Sequence, residues 1–236
     1  MTPDFDKGYW EDHWQPGRPA GPGSLGDNPP SPYLAEQLGG LAAGRALDAG
    51  CGAGAEAIWL AERGWRVTAA DISAQALARA AGRAAAAGVA ELVDWVEADL
   101  SVWEPGHDVD LVMTHYAHPS IPQLEFYDRL AAWVAPAGTL LIVGHLRQHD
   151  GNGNGHGHGH DHGAGHRTGQ AEEDHAHGQQ PPAEASVTAA DITARLDPAA
   201  WQVVTALEQS RTMTGEGGRA VQLRDVVVRA TRRSAG

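Results

Sequence analysis

The sequence predicts an α/β domain on a mostly parallel sheet with helices on both faces. Three observations predict it. Ala46 to Ser73 reads strand, glycine turn, helix and second strand ending in an acid. Apolar strand-like runs then recur between helical stretches as far as His145, and the chain closes on two β-rich runs joined by the turn TGEGG at Thr214 to Gly218. At 236 residues the chain suits one domain of ordinary size with a full core.

Four segments follow from composition. Residues 1–32 are rich in Pro, Gly and aromatics, with YWEDHW at Tyr9 to Trp14 followed by GRPAGPG and DNPPSP. Proline excludes a long helix there, yet Tyr9, Trp10 and Trp14 are costly to leave in water, so the segment is expected to dock as a lid. Residues 33–146 form the core. Residues 147–185 carry repeats of Gly-His and almost nothing apolar, too little to fold alone. Residues 186–236 complete the same domain with a helix and a hairpin.

Within the core, Tyr33 to Leu41 reads as a short helix. Ala46 to Ala49 is a buried strand entering the turn Gly50-Cys51-Gly52-Ala53-Gly54, where glycine permits positive φ and lets a ligand lie against bare backbone. A helix from Ala53 to Arg63 ends at Gly64, and Trp65, Val67 and Ala69 alternate into Asp71. Ser73 caps an Ala-rich helix to Ala87, closed by Gly88. Strands follow at Leu92 to Glu97 and Val109 to Tyr116. A helix from Pro122 to Val134, a turn at Pro136 to Gly138 and a strand from Thr139 to Val143 come next. After the tract, Thr188 and Asp191 open a helix from Ala189 to Leu196, and strands at Trp201 to Leu207 and Val221 to Arg229 pair as an antiparallel hairpin.

Charge and cysteine content remove whole classes. A formal charge of −13, with clustered cations only at Arg229, Arg232 and Arg233, argues against nucleic acid or anionic lipid as a partner. No apolar run approaches the ~20 residues of a membrane span and no signal-peptide core opens the chain, so a soluble, cytoplasmic protein is expected. One cysteine, Cys51, excludes an internal disulfide and a cysteine-based metal site.

An acid about 20 residues beyond a glycine turn is placed to accept hydrogen bonds from ribose hydroxyls. The glycine spacing is G-x-G-x-G rather than the dinucleotide G-x-G-x-x-G, and Asp48 precedes it; a carboxylate there repels a pyrophosphate and suits a cationic or amino-acid ligand. A nicotinamide-dependent oxidoreductase is therefore disfavoured.

On these residues the stretch resembles motif I and the acidic second-strand end of class I S-adenosylmethionine (SAM) dependent methyltransferases, of the small-molecule kind similar to the tellurite-resistance and thiopurine methyltransferase group. The resemblance implies a Rossmann-like sheet, mostly parallel and seven-stranded with an antiparallel last strand. It implies cofactor contacts from Asp48, Gly50, Cys51, Gly52 and Gly54, from Asp71 and Ile72 at the second strand end, and from Asp99 and Leu100, where the acid accepts from the adenine amino group. It places the arm over the cofactor, with Trp14 offering a cation–π face worth ~0.5–2 kcal/mol and Arg18 positioned for the methionyl carboxylate. Ordinary packing of the arm is the alternative for both.

The acceptor side is open. Ligands lie beyond the carboxyl ends of strands, so His115, Tyr116 and His118 should border the methyl group. His115, also a cofactor neighbour, ranks first as general base, with His118 or His145 as substitutes; its alternative is to orient the acceptor, and thiolates or heavier chalcogenides need no base. The expected function is methyl transfer to a small-molecule S, Se/Te, N or O nucleophile. The alternative is a non-catalytic metal-binding or sensing protein, with Ni, Zn or Cu held by His156, His158, His160 and His162, against which a tolerated surface insertion is weighed. Neither the acceptor nor the oligomeric state is encoded in any motif.

Overall fold

The computed structural model describes residues 5–15, 29–146, 186–214 and 220–234. Seven strands form one sheet in the order β3-β2-β1-β4-β5-β7-β6. They are β1 (Arg45–Ala49), β2 (Arg66–Asp71), β3 (Val93–Glu97), β4 (Val109–His115), β5 (Val134–His145), β6 (Trp201–Thr214) and β7 (Ala220–Arg232). All pairs among β1 to β5 are parallel, and β7 runs antiparallel to both β5 and β6. The expected seven-stranded sheet with a reversed last strand is thus observed, the last strand in sequence lying second from the edge.

Parallel strands need both faces covered. Helices α2 (Tyr33–Leu38), α3 (Ala55–Ala61) and α4 (Ala74–Ala86) cover one face, where Leu34, Leu60, Leu111, Met113 and Val227 are buried together. Helices α5 (Gln123–Ala132) and α6 (Ala189–Thr193) cover the other, around Phe126, Leu130, Leu140 and Ile192. Between β1 and β4 the strand order reverses, so the carboxyl ends of β1 and β4 diverge into a crevice, the place where such sheets bind ligands.

Five expectations need correction or refinement. Pro136 to Gly138 is not a free turn: β5 runs through it as a bulge, with the register against β4 shifting between Val109 and Leu111 and Ala137 at φ 66°. The closing strands extend past Leu207 and start before Val221, because an edge ladder of backbone bonds continues through polar residues that carry no apolar alternation. The helix after the tract keeps its capping box of Thr188 and Asp191 but stops at Thr193, and the helix from Ala53 is shorter, Ala55–Ala61. The arm contains an unexpected seven-residue helix, α1 (Lys7–His13), capped by Asp6 and completed before Pro16 intervenes. Among the described residues no helix is long and apolar enough to cross a membrane.

Candidate functional site

The glycine turn is fastened before any ligand arrives. Gly50 and Cys51 N–H groups donate to the Ala70 carbonyl at 2.8 and 3.1 Å, and the Arg83 guanidinium donates to the Ala53 carbonyl at 2.8 Å. Gly50 sits at φ 79°, and a methyl group there would run into the Ala117 side chain. A methyl at Gly52 would meet the Trp14 ring at 3.0 Å. Both absences of a side chain are therefore spatial requirements: the loop after β4 lies directly on the turn from one side and the arm from the other.

Around this turn stand the predicted acids. Asp71 closes β2, accepting the Gly52 N–H on Oδ2 at 2.8 Å and the Ser73 N–H on Oδ1 at 2.9 Å, which leaves each oxygen a second lone pair. Burial raises its pKa against the pull of those bonds. Asp48 is 1% exposed and its Oδ2 has no hydrogen-bond partner among the described residues. Burial, then the Glu56 and Asp71 carboxylates, push its pKa well above the carboxylate range. Such a group is held at a cost that an arriving cation removes. Cys51 is buried and its thiol is pushed up by burial, as a packing residue rather than a nucleophile. Gly54, at φ 74°, caps α3.

The third acid is built differently. Asp99 spends Oδ1 on the Ser101 N–H and hydroxyl, while the Ala98 N–H donates to the Asp71 carbonyl at 2.9 Å, which brings the β3 end beside the β2 end. Leu100 is buried there and Ile72 half-buried. The structure therefore gathers Asp48, Gly50, Cys51, Gly52, Gly54, Asp71, Ile72, Asp99 and Leu100 along one rim, with Trp14 over it. Arg18 and the histidines His156, His158, His160 and His162 lie outside the described residues.

One rim residue carries no sequence signal: Glu11 of α1. Its carboxylate accepts the Ala74 N–H at 2.8 Å and the Ser73 hydroxyl at 3.1 Å, so an anion sits at the N-terminus of α4 and fastens the arm beside Asp71. Only the docking of α1 makes it a site residue.

Beyond β4 the surface changes from acids to rings. His115, 8% exposed, has no hydrogen-bond partner for either ring nitrogen among the described residues, and burial lowers its pKa. Tyr116 follows with φ 56°. Its ring lies 4.9 Å from His145, which stacks on His118 at 5.3 Å, and His118 meets Phe5 of the arm at 5.8 Å. His118 bonds Gln123, and its pKa too is lowered by burial. Burial, then His118, lower the pKa of His145 to about 4. Three neutral imidazoles thus border the crevice. By strand alternation His115 on β4 and His145 on β5 both follow the face of Met113, Leu141 and Val143, and the Glu56 carboxylate opposes the loss of charge at His115. Among the described residues no group of three or more His, Cys, Asp or Glu is arranged to hold a metal.

Comparison with known proteins agrees with the geometry. Residues 46–138 match the family model described as methyltransferase domain. The chain is 33% identical over 110 residues to "Probable thiol methyltransferase 2" of Arabidopsis thaliana, covering 46% of this chain and 47% of the relative. It is 36% identical over 102 residues to trans-aconitate 2-methyltransferase of Streptomyces avermitilis, 41% of this chain and 37% of that one. The chain thus spans about half, or less, of the length of these relatives. A structure solved for the conversion of a disulfide bond into a thioacetal group during echinomycin biosynthesis superposes with a TM-score of 0.63 at 20% identity, over 100% of this chain and 93% of its own; at that identity the likeness is one of fold.

Proposed function

We propose that this chain, with a methyltransferase domain at its centre, transfers a methyl group from SAM to a small-molecule nucleophile. The buried, unpartnered Oδ2 of Asp48 beside a fastened glycine turn carries the reading. That oxygen is matched by an ammonium, Asp71 by a pair of ribose hydroxyls, and the bare backbone at Gly50 and Gly52 by a ligand that no side chain obstructs. Bound there, SAM supplies a methyl carbon on a sulfonium, which is displaced in line with the departing thioether keeping the electron pair.

The residues of the chain then have three tasks. Asp48, Asp71 and the turn hold the donor. Tyr116 and the ring row of His118 and His145 wall the acceptor, and the arm excludes water from above, so that donor and acceptor are held at near-attack distance in a dry crevice. A neutral imidazole takes the proton where the acceptor carries one. Burial favours the neutral form of His115 and His118, which leaves them free to accept a proton, whereas His145, lowered to about 4, is a poor base at neutral pH. His115 closes β4, two residues beyond the Met113 that pairs with Asp48, and the His145 ring lies 4.9 Å from the Tyr116 ring.

Isothermal titration with SAM and with its demethylated product S-adenosylhomocysteine tests the donor site: binding is expected, and its absence at millimolar ligand sinks the reading. A screen with labelled SAM across thiols, selenite, tellurite, phenols and N-heterocycles tests the acceptor. With an acceptor in hand, His115→Ala should cost ~10²-fold or more in turnover if His115 removes a proton.

A further inference from the structure

Asp225 of β7 is completely buried, at 0% exposure, although a carboxylate in such a place is retained only when it is partnered. Its Oδ2 accepts the Tyr33 hydroxyl of α2 at 2.7 Å and the Arg211 Nε of β6 at 2.5 Å. The same guanidinium donates through Nη2 to the Tyr116 hydroxyl at 3.0 Å. One carboxylate therefore ties together α2, β6, β7 and the residue that follows β4. Tyr116 needs such a tie. A bulky aromatic with φ 56° sits in the left-handed region only when its surroundings impose it. Its neighbour Ala117 lies on Gly50, and its own ring meets His145.

We infer that Asp225 and Arg211 are positioning residues for the acceptor: they hold Tyr116 in its strained conformation, and Tyr116 sets the wall of rings against which the nucleophile lies. The inference rests on the methyltransferase reading for its meaning. The two act through Tyr116: the Arg211 Nε and Nη2 and the Asp225 Oδ2 are spent within the network, and the Asp225 Oδ1 is buried with no partner among the described residues. Nothing in the network reaches Asp48 or Asp71, so the donor site is built without it. The consequence is a split between two ligands: disturbing Arg211 harms acceptor use and spares SAM.

The test uses the full chain with labelled histidines. By NMR, the ring of Tyr116 should shift the His145 Cε1–H signal in the wild type. Arg211→Met and Tyr116→Phe should both move that signal, and Arg211→Lys should restore most of it. S-adenosylhomocysteine affinity should stay within about twofold in each, because additivity holds for sites that share no partners. In the second arm, with thiophenol as acceptor, Arg211→Met should raise KM for thiophenol by about tenfold with KM for SAM unchanged, and the double variant with Tyr116→Phe should be no worse than either single one. An unmoved His145 signal in Arg211→Met overturns the inference, as does an equal loss of S-adenosylhomocysteine affinity, which marks a general prop. Should the wild type methylate no acceptor, the function reading fails, while the His145 signal still decides the positioning role.

Discussion

The two halves of the crevice, proposed for donor and for acceptor, share one sheet edge and are made by opposite means. The proposed donor half comes from consecutive strands, β1 to β3, and its groups are bare glycines and three acids within residues 48–99, the Gly50, Cys51 and Gly52 N–H groups being spent on Ala70 and Asp71. The acceptor half gathers Tyr33, Tyr116, His118, His145, Arg211 and Asp225 from separate stretches, and everything in it is side chain. The difference teaches that a cofactor shared by many enzymes is met by geometry the chain makes locally, whereas an acceptor peculiar to one enzyme is met by long-range packing.

The largest effect that separates the halves should come from a point where they touch, Gly50 against Ala117. Gly50→Val places a branched side chain at φ 79° against Ala117, and strain with overpacking should cost about 2–4 kcal/mol, read by urea denaturation. Next, Asp71→Ala should lower SAM affinity by ~10²-fold in isothermal titration, the worth of hydrogen bonds to a charged group, while the His145 NMR signal stays in place. A shift of that signal would mean the halves are not independent.

Asp48→Asn divides stability from function. In the folded protein the Asp48 pKa is raised, so the ionised carboxylate destabilises the ligand-free fold at neutral pH; the asparagine variant should be the more stable one there. That advantage should shrink as pH falls toward the unfolded value of about 3.9, since Asp48 then protonates of its own accord. SAM affinity should fall in the same variant. Equal stability at pH 7 would refute the account of Asp48 as a poised, costly acid.

The acceptor half has the opposite sign. His118 and His145 have depressed pKa values when folded, so the unfolded chain binds more protons and their contribution to stability is lost as pH drops from about 6.5 toward the His145 value of about 4. A variant with His118→Phe and His145→Phe should show a flatter fall of unfolding free energy across that window; an unchanged slope would count against burial of the pair. The smallest effect should follow from deleting residues 151–178. Leu146 and Val187, which flank the tract, are bridged to each other, so a change of length between them should matter little. SAM turnover should persist and any affinity for nickel or zinc should disappear. Lost turnover with retained SAM binding would instead make the tract part of the acceptor site.

Legibility followed the same division. Asp48, Gly50, Gly52 and Asp71 could be named because strand, turn and acid lie within 24 residues and each has a local reason. Tyr116 and His118 could be placed at a strand end, but nothing local says that Tyr116 adopts positive φ or that Arg211 reaches it across 95 residues. Asp225 lies within the expected strand Val221 to Arg229, and Glu11 within the aromatic segment Tyr9 to Trp14, each with no local signal of its role. The bulge in β5 was read as a turn because proline and glycine announce irregular backbone without saying whether the ladder resumes.

By itself, then, the sequence determined the sheet and the glycines and acids that gather at the carboxyl ends of β1 to β3, since hydrophobic period, caps and glycine spacing act over one or two elements. Tertiary structure alone decided that a carboxylate on β7 and a guanidinium on β6 hold a tyrosine after β4, and that Glu11 locks the arm beside Asp71. Buried charges must find partners wherever packing supplies them, and the Tyr116 hydroxyl that Arg211 meets lies 95 residues away, beyond any short sequence window.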